Sequence, residues 1–241
     1  MTANSTLSNE IAADLRAEIL RGQYRDGDRL PSERDLSARY TASRGAVREA
    51  LSELRQLGLV EVQLGGARVK ALKDARIAVL GPLLAASEST DPELIRQFLQ
   101  TFGALAVVTA EEAVAKANKT ELNRLQDIVV SLNNLADDHS KQQEKWREFY
   151  LCLSEVADNL VVQLIGNDLR ALFSDQIVKL GIKPSFSERV MSQILSGLKQ
   201  GLNKRDKSKI GTAVKLYFDE LLLAVQQDLA ERLPDYQQQA S

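Results

Sequence analysis

Arg44 and Arg48 stand four residues apart, a spacing that puts both guanidinium groups on one face of a helix. Val47, Leu51 and Leu54 supply an apolar stripe on the opposite face, so the arginines point outward. Gly45 and Ala46 are small enough to let a large partner approach the backbone closely, and Ser43 adds a hydroxyl beside the free N–H groups of a helix start, which suit a phosphate. Arginine bonds in two prongs to guanine O6 and N7, or to phosphate. The chemistry this set supports is recognition of double-stranded DNA. Arg34 joins it from a preceding helix. The competing interpretation is a solvated face on which Arg34 and Arg48 pair with Glu33 and Glu49.

Bond-making chemistry is poorly supplied. The chain has one His and one Cys, so the side chains that most often bind zinc, act as general bases or attack as nucleophiles are nearly missing. His139 falls in Asp137-Asp138-His139-Ser140 and reads as a solvated loop residue between two helices. There is no Gly-x-Ser-x-Gly turn to present a catalytic serine. The expectation is a binding protein and not an enzyme.

The elements that must carry the arginines are legible. Leu7, Ile11, Leu15 and Ile19 recur every four residues and predict a first helix, closed by Arg21 and Gly22. Ser32 can cap a short second helix running to about Tyr40, with Asp35 completing a capping box. Ser43 can cap a third, ending near Leu57 with Gly58 as its stop. Val60 to Gln63 alternates, Gly65-Gly66 makes a turn, and Ala67 to Ala71 alternates again with Arg68 and Lys70 on one face, which predicts a β-hairpin. Together these form a winged helix-turn-helix with Arg68 on its DNA-facing list.

Past Asp74 only helices are predicted. Their apolar sets are Leu94, Phe98, Phe102, Leu105; Leu122, Leu125, Val129, Leu132; Trp146, Phe149, Tyr150, Leu153; Leu160, Leu164, Leu169, Leu172; Val190, Ile194, Leu198; and Val214, Tyr217, Leu221, Val225. Breaks are expected at Pro82, Pro92, Lys119-Thr120, Asp137-Asp138, Asp158-Asn159, Gly181 to Pro184 and Lys204 to Asp206. The fold class is thus mainly α: an N-terminal winged helix-turn-helix with a small β-hairpin, then an all-α helical bundle. Its domains are a DNA-binding head over 1–73, a linker helix over 74–90, an effector-binding or dimerisation domain over 91–233 and a frayed tail over 234–241.

Composition agrees with that division. Of 241 residues 44% are apolar and 27% charged, with only 5 prolines, as in a folded helical protein. Residues 1–73 hold 12 of the 31 basic and 10 of the 33 acidic side chains, so the head is basic and the remainder acidic. The single Cys152 cannot form an internal disulfide, and the polar start has neither the basic nor the apolar part of a leader, so a cytoplasmic location is expected. Charged or amide side chains interrupt every apolar run short of a membrane span, and no membrane role is expected.

The ordered set Pro31-Ser32-Glu33-Arg34-Asp35-Leu36, Ser43-Arg44-Gly45-Ala46-Val47-Arg48-Glu49-Ala50-Leu51, Leu57-Gly58-Leu59-Val60 and the Gly65-Gly66 wing resembles the winged-helix domain of the GntR family of bacterial transcription regulators. The helical remainder is similar to its FadR-type branch. The resemblance implies a homodimer on an inverted-repeat operator and a helical domain that holds a small-molecule effector. It also implies DNA contacts from Arg34, Ser43, Arg44, Gly45, Ala46 and Arg48, with Gly65 entering the minor groove. Leu64 departs from the polar residue some FadR-type wings carry.

Many FadR-type domains hold a divalent metal through one Asp and three His. By that resemblance Leu153-Ser154-Glu155-Val156-Ala157-Asp158-Asn159 sets the register, and the ligand positions fall on Trp146, Tyr150, Tyr217 and about Leu195. None of these is a carboxylate or imidazole, so no metal is expected. Two alternatives follow. Trp146, Tyr150, Leu195 and Tyr217 line a pocket for a hydrophobic effector such as an acyl-CoA, with Tyr217 aimed at the ligand, although Phe218 crowds the place an acyl chain would need. Or the bulky side chains fill the space, and the domain is a ligand-free dimerisation or protein-interaction module.

Overall fold

The computed structural model describes residues 3–86, 91–135, 139–167, 169 and 186–232. It divides into two compact units, Met1–Asp91 and Pro92–Ser241.

In the first unit, helices α1 (Ala3–Leu20), α2 (Glu33–Arg39) and α3 (Arg44–Gln56) precede the strands β1 (Val60–Gln63) and β2 (Gly66–Val69). The starts of α2 and α3 follow from their caps: Ser32 Oγ accepts the Asp35 N–H and Ser43 Oγ the Ala46 N–H, both at 3.2 Å. Ser32 also donates to the Asp35 carboxylate at 2.6 Å, and this bond first, then Arg34, holds Asp35 below the usual carboxylate pKa. Ile11 and Leu15 of α1, Leu36 of α2, and Val47 and Leu54 of α3 are fully buried together. Polar ties then fix the helices: Arg39 of α2 bonds Glu18 and, at 3.3 Å, Asp14 of α1, and Arg16 reaches Glu53 of α3 at 3.4 Å.

The strands pair antiparallel with Val60 opposite Val69 and Gln63 opposite Gly66, which leaves Leu64 and Gly65 as the loop. Gly65 has φ +115°, a value only glycine adopts without strain, and this permits the reversal. Regular pairing ends at Val69, so Lys70 lies beyond β2, its N–H bonded to Leu59 O at 2.9 Å. Residues 74–79 are not a linker helix: they run through 3-10 turns, Arg76 N–H donates to Leu57 O at 2.9 Å, and Val79 is buried in the head's core. Helix α4 (Leu80–Ala86) follows and takes Pro82 into its first turn, where a missing N–H costs nothing.

The second unit contains α5 (Pro92–Lys116), α6 (Lys119–Asn134), α7 (His139–Ala157), a helix over 160–167 (α8), α9 (Glu188–Lys204) and α10 (Lys207–Arg232). Helix α10 packs along α5 and α9, and α7 lies against α5 and α6. Asn118 and Glu121 form a full capping box at the start of α6, and the left-handed Arg205 turns α9 into α10. Helix α5 has an 18-residue window of mean hydropathy 1.2, long and apolar enough to cross a membrane, which a search for unbroken apolar runs overlooks. Half of that window is buried within the protein, including Phe98, Leu99, Phe102 and Ala106, as in a core helix.

Three sequence expectations change here. Leu160 and Leu164 are 67% and 58% exposed, while Val162 and Leu169 face inward; Asn159, accepting the Val162 N–H at 3.2 Å, caps α8 in that rotation. On α5 Phe98 and Phe102 are buried as expected and Ile95 and Leu99 join them, with Leu94 and Leu105 only half-buried. His139 is the first residue of α7 and not part of a loop. Leu172, Gly181 to Pro184, Asp137-Asp138 and the tail from 234 lie outside the described residues.

Candidate nucleic-acid interface

Helix α3 is built to present its start. Ser43, Arg44, Gly45 and Arg48 are exposed, while Val47, Ala50 and Leu54 are wholly buried and Leu51 nearly so. The first turn of α3 has no acidic residue, a trait it shares with α1, α4, α7 and α10, whereas α2 carries two there and α5, α6 and α9 one each. Carboxylates normally gather at helix starts because the macrodipole favours negative charge. Helix α3 leaves that favourable position open to an anion from outside.

The arginines differ in freedom. Arg44 makes no ion pair or side-chain hydrogen bond among the described residues. Arg48 Nε donates to Glu33 at 2.8 Å, and Arg34 lies 3.6 Å from Asp35. The pairing interpretation of Arg34 and Arg48 therefore describes the free protein in part, with Asp35 and Glu33 as partners and Glu49 uninvolved. Both guanidinium groups stay well exposed, at 83% and 68%, and such surface pairs are worth only about 0–1 kcal/mol, a small sum for a phosphate to exchange.

Two of the expected DNA-facing residues read differently. Ala46 is fully buried, so its methyl group has no surface to offer DNA; its smallness serves the packing of α3. Arg68 is exposed on β2, but its Nη1 donates to Gly27 O at 2.8 Å, turning the guanidinium back onto the 24–28 turn. Gly65 stands exposed at the tip of the hairpin next to Leu64, which is fully exposed. Arg29 was not singled out from sequence, because only its pairing with Arg68 brings it to the wing.

In the second unit Trp146 and Tyr217 meet face to face, ring centroids 4.0 Å apart at 27°. Phe186 also stacks on Tyr217, at 5.5 Å and 27°, and Phe218 meets Tyr217 edge-on at 5.3 Å. Leu195 is buried in the same core. Tyr150 is turned to Phe102, ring centroids 5.1 Å apart, with its hydroxyl against Gly166. The Trp146 Nε1–H is buried and has no hydrogen-bond partner among the described residues, and burial raises the Tyr217 pKa above that of an ordinary phenol. An indole N–H is a donor, so this set does not fit a divalent metal. Among the described residues no group of three or more His, Cys, Asp or Glu side chains comes together to hold one.

Comparison with known proteins places these features. Residues 7–69 match the family of bacterial regulatory proteins, gntR family. The chain is 29% identical over 154 residues to the HTH-type transcriptional regulator LutR of Bacillus subtilis, spanning 64% of this chain and 69% of LutR. It is 29% identical over 215 residues to the HTH-type transcriptional regulator Mce2R of Mycobacterium tuberculosis, spanning 83% and 86%. A solved structure of Lar, described as controlling expression of the Listeria monocytogenes agr system, shares the fold with a TM-score of 0.53 at 17% identity over 94% of this chain and 98% of that one. With capped helices α2 and α3 and a two-stranded wing, the head over residues 7–69 belongs to the gntR family of bacterial regulatory proteins, and an all-helical unit follows it.

Proposed function

We propose that the protein binds an inverted-repeat operator as a cytoplasmic homodimer, laying α3 in the major groove of each half-site. One observation carries this: Arg44, exposed and unpaired among the described residues, stands at the first position of a helix whose opening turn has no carboxylate. There a guanidinium and the open backbone N–H groups meet base edges and phosphate together. Two-fold symmetry in the protein matches two-fold symmetry in the DNA.

The second unit, on this proposal, responds to a hydrophobic effector such as an acyl-CoA. Support comes from the buried Trp146 N–H, which a ligand carrying an acceptor would satisfy. A ligand-free dimerisation or protein-interaction module is the second reading, and it is favoured by the 4.0 Å stack of Trp146 on Tyr217 and by Phe218 beside it. Native mass spectrometry of the full chain, purified without added ligand and then mixed with a duplex selected from a random-sequence library, tests both. Two chains on one duplex support the operator proposal, and one chain per duplex refutes the homodimer. Extra mass of CoA or lipid size on the free dimer supports the effector; a bare dimer whose Trp146 emission is unchanged by acyl-CoA favours the module.

A further inference from the structure

The segment before α2 runs beside the wing. Gly27 N–H donates to Val69 O and Val69 N–H to Asp28 O, both at 2.9 Å, and Leu30 N–H donates to Ala67 O at 3.0 Å. Arg29 is thereby set directly opposite Arg68, both on the exposed side, while Leu30 and Ala67 are buried on the other. Like charges directly opposite each other destabilise a strand pair. The two guanidinium groups part in response: Arg68 turns back to Gly27 O, and Arg29 extends to the wing tip. Its Nη2 lies so close to Gly65 that a Cβ built on that glycine would come within 2.9 Å of it. Arg29 has no ion pair or hydrogen bond from its side chain among the described residues.

We infer that Arg29, and not Arg68, is the wing's contact to DNA, and that it reads A·T pairs through the minor groove. This rests on the operator reading above. The tip itself is made of Leu64, which has no side-chain hydrogen-bonding group, and Gly65, which has no side chain. A tip so thin fits a groove about 6 Å wide, where A·T pairs present only acceptors and a narrow A-tract concentrates negative potential. A guanidinium held against that tip is what such a groove attracts. The like charge of Arg29 and Arg68 that their parting leaves in the free protein is further offset once Arg29 lies between two phosphate backbones.

The test selects duplexes from a random-sequence library with the full-length wild type, Arg29→Ala, Arg29→Lys, Arg68→Ala and Arg44→Ala. Affinities are then measured on the wild-type winner, with the base pairs under the wing changed from A·T to G·C or to inosine·C. Inosine·C keeps the minor-groove face of A·T and takes on the major-groove face of G·C. The expected result is that wild type and Arg68→Ala prefer A·T and inosine·C alike over G·C. Arg29→Ala loses that preference and binds the A·T duplex about tenfold more weakly, with unchanged or raised thermal stability because a like-charge pair is gone. Arg29→Lys keeps the salt dependence and loses most of the preference. Equal A·T preference in Arg29→Ala and wild type overturns the assignment, as does inosine·C behaving like G·C, or an Arg29→Ala loss that is the same on every duplex. Loss of binding in Arg44→Ala with none in Arg29→Ala leaves the operator reading standing and overturns this one alone. A wild type that enriches no sequence overturns the operator reading and the Arg29 assignment with it.

Discussion

Replacing Arg44 by Ala should weaken operator binding and strengthen the free protein at once. Arg44 occupies the first position of α3, is exposed, and has no ion-pair partner to give up on meeting DNA. Its whole contact therefore appears as binding free energy, about 1–3 kcal/mol, or roughly 5- to 150-fold in affinity. In the free protein the same cation sits at the positive end of a helix dipole with no carboxylate in the first turn to offset it. Removing it should stabilise the head by about 0.3–1 kcal/mol, raising the Tm of a unit this size by about 2–6 °C. Arg48→Ala is a poorer probe, because it also unmasks the Glu33 carboxylate beside the phosphates. The assay is anisotropy of a labelled, library-selected duplex over a range of salt, with thermal melting of both proteins followed by circular dichroism. Unchanged affinity would remove Arg44 from the interface; a lowered Tm would show that it holds a structural contact, and the dipole argument would fall.

Three further outcomes are expected. In Gly201→Ala the new Cβ would lie 2.8 Å from the backbone N of Ile210, so α9 and α10 must part. Overpacking of about 1–3 kcal/mol exceeds the roughly 1 kcal/mol gained in helix propensity, and the urea midpoint read from Trp146, the chain's single tryptophan, should fall; a rise would refute the close approach. Tyr217 has its pKa raised by burial, so the folded form keeps the proton after the unfolded form has lost it. Its contribution is fully present below the ordinary phenol pKa of about 10 and drains away as pH rises past it; in Tyr217→Phe the urea midpoint should lose much of that alkaline slope, and an identical slope would refute the burial argument. Trp146→Phe removes a buried donor with no partner among the described residues, which should offset the area and cavity cost of the smaller ring and leave ligand-free stability within about 1 kcal/mol, while weakening binding of any effector seen by native mass spectrometry; a loss of about 3 kcal/mol or more in urea unfolding followed by circular dichroism would count against it.

The head was more legible from sequence than the bundle, and the reasons are local. Ser32, Ser43 and Gly58 act through bonds to residues a few positions away, so α2 and α3 start and stop where their types say. Ala46 was misread because smallness is the same signal whether a residue admits DNA or admits a neighbouring helix; only burial separates the two. Arg29 and Arg68 depend on a single-residue bridge between segments far apart in the chain, which leaves no periodic trace. On α8 the fourfold spacing of Leu160 and Leu164 was real, but Val162 is the side turned inward. The stack of Phe186 on Tyr217 joins residues from the entrance to α9 and the middle of α10, and no pattern within either segment announces it.

In the aromatic site of the second unit one buried donor works against the packing. Face-to-face rings at 4.0 Å add about 0.5–1.5 kcal/mol beyond the area they bury. The indole N–H, buried without an acceptor among the described residues, costs about 1–3 kcal/mol. The unpaired donor thus offsets the gain from stacking, while the area the indole buries still favours tryptophan over a smaller ring. A core selected only for filling has no use for that N–H. A ligand with an uncharged acceptor in line with Nε1 turns the same group from a cost into a hydrogen bond, and the sum then favours the occupied site. On the effector proposal such a ligand accounts for a tryptophan at this position; on the ligand-free reading the ring area it buries does.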